Sequence, residues 1–85
     1  MGRYYDVEIA KEYGIAAAVI YNSIKEIDDY NDDLPKEPIN YFNISSVIAE
    51  FKEFELSEIL RSIANLIDAG LLTINEGTMN LYSRG

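Results

Sequence analysis

The fold is decided by residues 56–83, which read LSEILRSIANLIDAGLLTINEGTMNLYS. In the first half of this stretch, apolar side chains recur at three- and four-residue spacing, which predicts an amphipathic helix. The expected core positions are Ile59, Leu60, Ile63, Leu66 and Ile67. The opposite face is left to Glu58, Arg61, Ser62, Asn65 and Asp68. One face of the helix therefore packs inward, and the other is free to meet a partner.

This helix has a marked start and a marked end. Ser57 is the expected N-cap, because a serine hydroxyl can accept hydrogen bonds from the first free amides of a helix. Gly70 is the expected terminator, since glycine readily takes the left-handed conformation that closes helices. Leu71 can then fold back onto Leu66 or Ile67 as a hydrophobic clasp.

A β-hairpin is predicted over residues 71–83, around a two-residue turn at Glu76 and Gly77. The predicted cross-strand partners are Asn75 and Thr78, Ile74 and Met79, Thr73 and Asn80, and Leu72 and Leu81. In this register all four large apolar residues share one face. Gly77 would supply the positive φ that the second turn position requires.

A second short helix is predicted upstream, over residues 45–51, with Val47, Ile48 and Phe51 facing inward. Residues 52–56 form a tight connection, so that residues 45–70 make a helix-turn-helix. Residues 39–42 offer a brief strand that could join the hairpin as a third strand of the sheet.

The sequence also contains three runs typical of one known family. They are IAKEYGI at 9–15, FELS at 54–57 and LIDAGLL at 66–72. On these runs the chain resembles the winged helix-turn-helix modules of phage and mobile-element replication and regulatory proteins.

The resemblance implies a mostly α fold with a small β-hairpin wing, as a single α+β domain over residues 1–85. It also implies a non-enzymatic protein that binds duplex DNA, as a regulator or replication accessory factor. The residues expected to contact DNA are Ser57, Glu58, Arg61, Ser62 and Asn65 on the second helix, with Gly77 at the tip of the wing.

The charge of the chain favours a different partner. Residues 38–85 contain three basic and six acidic side chains, and the whole chain carries a net charge of −8. Affinity for DNA depends largely on cations that neutralise phosphates, which this surface supplies poorly. The alternative is an acidic winged-helix protein-interaction module, or a DNA-mimic inhibitor, that binds a basic nucleic-acid-handling protein. Its expected partner-binding residues are Asp28, Asp29, Asp32 and Asp33.

The N-terminal region, residues 1–31, is predicted to hold two helices separated by Gly14. Residues 15–21 are apolar at every position, so the second helix requires cover on two sides. A second copy of the chain could supply that cover, with Ile15, Ala18, Val19 and Tyr21 at a homodimer interface. The first helix could instead cover this segment within one chain.

An acidic segment follows at residues 26–38. Residues 26–37 hold six acidic side chains and one lysine, and Pro35 and Pro38 forbid a continuous helix. We expect a solvated loop here that begins at a fraying helix end. It serves either as a solubilising segment or as the acidic surface described above. Glycine and glutamate are missing from the positions that a calcium-binding loop requires.

Composition limits the remaining possibilities. A chain of 85 residues supports one domain, and the absence of cysteine and histidine excludes disulfides and the usual zinc ligands. Catalytic dyads and phosphate-binding glycine motifs are missing from the sequence, so we expect neither an enzyme nor a cofactor or small-molecule substrate. With no apolar run of membrane-spanning length and no signal pattern, the sequence predicts a cytoplasmic protein.

Overall fold

The structure is a computed structural model that describes residues 4–33 and 40–83. In order, the elements are α1 (Val7–Tyr13), α2 (Ile15–Asp33), α3 (Ile44–Glu50), α4 (Leu56–Asp68), β1 (Thr73–Ile74) and β2 (Leu81–Tyr82). The two strands pair in an antiparallel sheet. The described chain is therefore mostly helical with a small sheet, which confirms the predicted α+β class.

The first helix ends at Gly14, as predicted. Asp6 is its N-cap, and the Asp6 carboxylate accepts hydrogen bonds from the amides of Glu8 and Ile9 at 2.8 and 3.4 Å. Gly14 follows the helix with a φ of 98°, a conformation that glycine takes without strain. α2 can therefore begin immediately, at a new angle to α1.

The apolar start of α2 is covered within the chain. Ala16 to Ile20 are all buried, because both α1 and α4 pack against α2. Ala18 is fully buried and Val19 is 3% exposed, so the prediction that they form a homodimer interface is wrong. Of the other two expected interface residues, Ile15 is 55% exposed and Tyr21 is half-buried.

The prediction of an acidic loop from residue 26 is wrong in its first part, because α2 continues to Asp33. Asp29 and Asp33 lie one turn apart on the same side of the helix, so their weak repulsion opposes the helix but does not end it. Two i,i+4 pairs support the helix: Asn22 donates to Glu26 at 2.8 Å, and Lys25 donates to Asp29 at 2.9 Å. Residues 34–38 of the acidic segment lie outside the described residues.

α3 and α4 form near the predicted positions. The Asn43 side chain caps α3 by accepting from the amide of Ser46 at 2.8 Å, and Phe51 ends it in a fully buried position. α4 begins earlier than predicted, with Glu55 as its N-cap, and the Glu55 carbonyl accepts from the Ile59 amide at 3.0 Å. Ser57 thus lies inside the first turn and is not the N-cap.

The end of α4 confirms the predicted closure at Gly70. Gly70 has a φ of 80°, and the Gly70 amide donates to the Ile67 carbonyl at 3.0 Å. The Leu71 amide donates to the Leu66 carbonyl at 2.9 Å. These two hydrogen bonds make the Schellman motif, in which glycine provides the left-handed residue.

The hairpin has a different register from the predicted one. Thr73 pairs with Tyr82 and Ile74 pairs with Leu81. The Asn75 amide also donates to the Asn80 carbonyl at 2.9 Å, which leaves a four-residue loop over 76–79. The left-handed position in this loop falls at Met79, with a φ of 63°, and not at Gly77. Since the register shift is two residues, Leu72 and Leu81 still face the core, whereas Met79 is 45% exposed.

The Asn75 side chain explains the longer loop. The Asn75 Oδ1 atom accepts from the amides of Gly77 and Thr78 at 2.9 and 3.0 Å, and the Met79 amide donates to the Asn75 carbonyl at 2.6 Å. These three hydrogen bonds are made locally and favour this loop over a two-residue turn.

The strand predicted over residues 39–42 is reduced to a short contact, and Ile39 lies outside the described residues. Asn43 forms an isolated antiparallel bridge with Asn80, and the Leu81 amide donates to the Phe42 carbonyl at 2.8 Å. This contact joins the hairpin to the segment that precedes α3.

The core draws on every described helix except α1, together with the hairpin. Its buried members include Ile20, Ile24, Val47, Phe51, Ile59, Leu66, Leu72 and Leu81. Partly buried Ile9 and Tyr13 of α1 pack against this cluster.

Replacing Gly70 with alanine should lower the free energy of unfolding by about 1 kcal/mol, because a Cβ is disfavoured in the left-handed conformation. A Cβ at Gly70 would meet no atom within 4 Å, so the loss would come from the backbone and not from a clash. Asparagine tolerates this conformation better than alanine does, so Gly70→Asn should lose less. Urea denaturation measures both changes, and equal losses would contradict this explanation.

Candidate functional site

The exposed face of α4 carries a row of polar side chains. Ser57, Arg61 and Asn65 are all exposed, and their four-residue spacing places them along one side of the helix. These are three of the six residues that were expected to contact DNA. The row therefore lies on the solvent-facing side of α4.

Two other expected contact residues on α4 lie further inward. Ser62 is 5% exposed, so the prediction that it faces a partner is wrong. It follows Ile59 by three residues and precedes Leu66 by four, which places it on the buried side of the helix. Glu58 is half-buried at the edge of the polar face. Polarity alone had assigned Ser62 to the surface.

A second row on α4 is apolar and was missed by the sequence reasoning. Leu56 and Leu60 are 54% and 44% exposed, and Ala64 continues the row at the same spacing. The prediction that Leu60 lies in the core is therefore wrong. The row precedes the polar row by one residue at each step, so the two rows run side by side. The sequence did carry a signal for this row, because Leu60 and Ala64 each follow a buried isoleucine, Ile59 or Ile63, by one residue and so face a different direction.

The tip of the hairpin offers less to an anion than expected. Gly77 is exposed, but the Gly77 amide already donates to Asn75 Oδ1 at 2.9 Å. A Cβ on Gly77 would lie 3.3 Å from this oxygen, so glycine lets the Asn75 side chain approach closely. Gly77 thus shapes the loop, and its amide is not free to bind a phosphate.

The α3–hairpin region has an acidic electrostatic character. Residues 40–83 contain two basic side chains, Lys52 and Arg61, and Arg61 is the only one on α4. The acidic side chains of the same region are Glu50, Glu53, Glu55, Glu58, Asp68 and Glu76. The exposed face of α4 therefore holds one cation in an acidic environment.

The four aspartates of the expected acidic surface do not act as one group. Asp28 is 2% exposed, and its Oδ2 atom accepts from both the amide and the hydroxyl of Ser83, the amide at 2.6 Å. The prediction that Asp28 meets a partner is therefore wrong. The inward turn of Asp28 follows from its place on the buried side of α2, four residues after Ile24.

The other three aspartates, Asp29, Asp32 and Asp33, are exposed. Asp29 pairs with Lys25, and the hydrogen bond and charge of the Asp29 carboxylate raise the pKa of Lys25 above its usual range. The Lys25 ammonium in turn neutralises part of the acidic charge at this point of α2.

A groove of about 320 Å³ opens beside α2. It is lined by Ser23, Glu26, Ile27, Tyr30 and Phe42. Its lining combines aromatic and aliphatic side chains with the Glu26 carboxylate. The sequence reasoning missed this groove because Phe42 is remote in sequence from the α2 residues.

Within residues 4–33 and 40–83, no group of three or more Asp or Glu side chains is placed to hold a metal ion. None of the helices in the described part of the chain has both the length and the apolar character needed to span a membrane.

Comparison with known proteins gave no match: no family model fits the chain, and no curated protein or solved structure is significantly similar to it.

Replacing Asp28 with alanine should lower the free energy of unfolding by about 2 kcal/mol, because two donors of Ser83 would lose a partly buried acceptor. Asp28→Asn keeps an acceptor oxygen and should lose less. Asp33→Ala removes the same charge from an exposed position of the same helix, and should change stability by less than about 0.5 kcal/mol. Urea denaturation compares the three variants, and equal values for Asp28→Ala and Asp33→Ala would refute the role given to Asp28.

Proposed function

We propose that this chain is a non-enzymatic winged helix-turn-helix module that binds another protein through the exposed face of α4. The observation that carries the proposal is the row of Leu56, Leu60 and Ala64, which exposes apolar surface along a helix beside an exposed polar row. Partner-binding helices often present apolar anchors at this spacing.

The order and contacts of the elements support the winged-helix part of the proposal. α3 and α4 are joined by five residues, 51–55, and α4 leads through Gly70 into the hairpin. The hairpin is held beside α2 by the Asp28–Ser83 contact and beside the start of α3 by the Asn43–Asn80 bridge. In this arrangement α4 corresponds to the recognition helix and the hairpin to the wing.

Electrostatics favour a protein over DNA as the partner. A recognition surface for duplex DNA needs several cations near the phosphates, and each contributes to affinity by releasing counterions. The exposed face of α4 offers Arg61 alone, and the hairpin loop adds Glu76. Leu56 and Leu60 add exposed apolar area, and the core of a protein interface buries such area better than a DNA groove does.

The charge of the chain also limits the kind of protein. With a net charge of −8, the chain would repel acidic partners and attract basic ones at a distance. Glu55 and Asp68 are exposed at the two ends of α4, so a complementary surface would carry cations around an apolar centre. Basic surfaces of this kind are common on proteins that handle nucleic acids.

Duplex DNA is the second candidate, and a different observation favours it. Ser57, Arg61 and Asn65 are hydrogen-bonding residues in one exposed row on the second helix of the unit, which is the geometry that reads base edges in a major groove. With one cation on the α4 face of each copy, this function would require a homodimer. That dimer would have to form on a surface other than Ala18 and Val19, which are buried.

Site-specific photo-crosslinking tests the protein partner. A photoreactive residue placed at Ala64, beside the two leucines, should crosslink to one basic protein in cells that naturally make this chain. Leu56→Gln with Leu60→Gln should abolish the crosslink, because glutamine has nearly the helix propensity of leucine but offers less apolar surface. Leu56→Met with Leu60→Met keeps that surface and should retain the crosslink. Equal crosslinking by the two double variants would refute the role of the leucine row.

Titration with random duplex DNA tests the second candidate, at about 50 and 200 mM salt. Under the protein-binding proposal we expect no binding at the lower salt concentration, where phosphate contacts are strongest. Binding that weakens steeply with salt and is lost in Arg61→Ala, but not in the double glutamine variant, would overturn the proposal in favour of DNA.

A further inference from the structure

The groove beside α2 has a composition that suits a particular ligand. Tyr30 and Phe42 contribute aromatic rings, Ile27 contributes an aliphatic side chain, and Glu26 contributes a carboxylate. The groove lies outside the α4 face, because its lining comes from α2 and from the residue before Asn43. It therefore forms a second surface, with its own chemistry.

The Glu26 side chain is oriented by a neighbour. Asn22 donates from Nδ2 to Glu26 Oε1 at 2.8 Å, one helical turn away. A carboxylate oxygen has room for more than one hydrogen bond, so Glu26 keeps acceptor capacity at the groove. A donor that enters the groove can therefore bind this carboxylate.

Cations gain from each part of this lining. The faces of Tyr and Phe rings attract a cation within about 6 Å, and a carboxylate nearby adds a charge-assisted hydrogen bond. Anions would be repelled by Glu26 and by the exposed Asp29 and Asp33 on the same helix. Lys25 offsets the charge of Asp29 but lines no part of the groove.

The groove is large enough for one long side chain. Its volume of about 320 Å³ is at the lower end of the range for small-molecule sites, which leaves room for water beside a single side chain. Arginine has an apolar stem and a planar guanidinium that stacks on aromatic rings and donates to a carboxylate. Lysine shares the charge but presents a compact ammonium that cannot stack in this way.

We propose that the groove formed by Glu26, Ile27, Tyr30 and Phe42 binds an arginine side chain of the basic protein partner. This inference deepens the proposed function, since it names the partner chemistry and rests on the partner being a basic protein. The guanidinium lies against the rings and donates to the Glu26 carboxylate, and the stem lies along Ile27.

The test uses the full chain and two small probes, Nα-acetyl-arginine amide and Nα-acetyl-citrulline amide. Citrulline has nearly the same shape as arginine but carries no charge. Arginine amide should shift the backbone amide signals of Ile27, Tyr30 and Phe42 in NMR titrations, with weak affinity, and citrulline amide should leave them unchanged. Nα-acetyl-lysine amide should bind more weakly than arginine amide. Equal binding of the arginine and citrulline probes would overturn the proposal.

Variants separate the groove from general attraction to an acidic protein. Glu26→Gln should weaken the arginine probe about fourfold, because Glu26 is exposed and solvent screens its charge. Asp33→Asn makes the same charge change outside the groove and should change the affinity by less than about twofold. Tyr30→Leu removes one ring and should also weaken binding. Equal effects of Glu26→Gln and Asp33→Asn would show that only overall charge matters and would refute the site.

The double variant Leu56→Gln with Leu60→Gln distinguishes this inference from the proposed function. It alters only α4 and should bind the arginine probe as the unchanged chain does. If the probe binds in the groove but the α4 face captures no protein, the groove stands and the proposed α4 function is wrong. If the α4 face captures its partner but the probe does not bind, the groove inference is wrong.

Discussion

The packing of α1 and α4 against the alanine-rich start of α2 is the constraint on which the rest of the fold depends. Ala16, Ala17 and Ala18 are at most 2% exposed, and their small side chains allow neighbouring helices to approach closely. With that side of α2 covered, α4 can direct Ile59, Ile63 and Leu66 inward, and its other faces remain outside. The need for cover on two sides, which the sequence indicated, is met within a single chain.

Local signals predicted two helix ends correctly. Gly14 and Gly70 act through backbone conformations and hydrogen bonds that involve only nearby residues, so their roles could be inferred from the sequence. The N-cap of α4 was predicted wrongly, since it is Glu55 and not Ser57. The hairpin register depended on a competition between two local solutions. The Asn75 side chain favours the four-residue loop by accepting two amide hydrogen bonds. The prediction of a two-residue turn was based on Gly77 alone and left these bonds out.

Several predictions at the candidate site were wrong because they depend on contacts between residues far apart in the sequence. Asp28 was assigned to the surface because it lies in an acidic run, yet Ser83 provides two donors for it from the other end of the described chain. Ser62 was predicted at the surface but is buried, and Leu60 was predicted in the core but is exposed. The boundary of the buried face depends on how α2 packs against α4. The spacing of residues in α4 does not show where α2 packs, and the acidic run in α2 does not show that Ser83 lies beside Asp28.

The Asp28–Ser83 contact also has a consequence for the order of folding. It joins residues 55 positions apart, and β2, which directly precedes Ser83, contributes the fully buried Leu81 to the core. During synthesis, α1 and α2 leave the ribosome long before this strand does, so they cannot complete their packing until the hairpin has emerged. Contacts between distant segments also slow folding, because a long loop must close before they form. The nascent chain therefore lacks the cover that Leu81 and Ser83 give to α2 until the hairpin has emerged, although α1 and α4 are already present to cover the start of that helix.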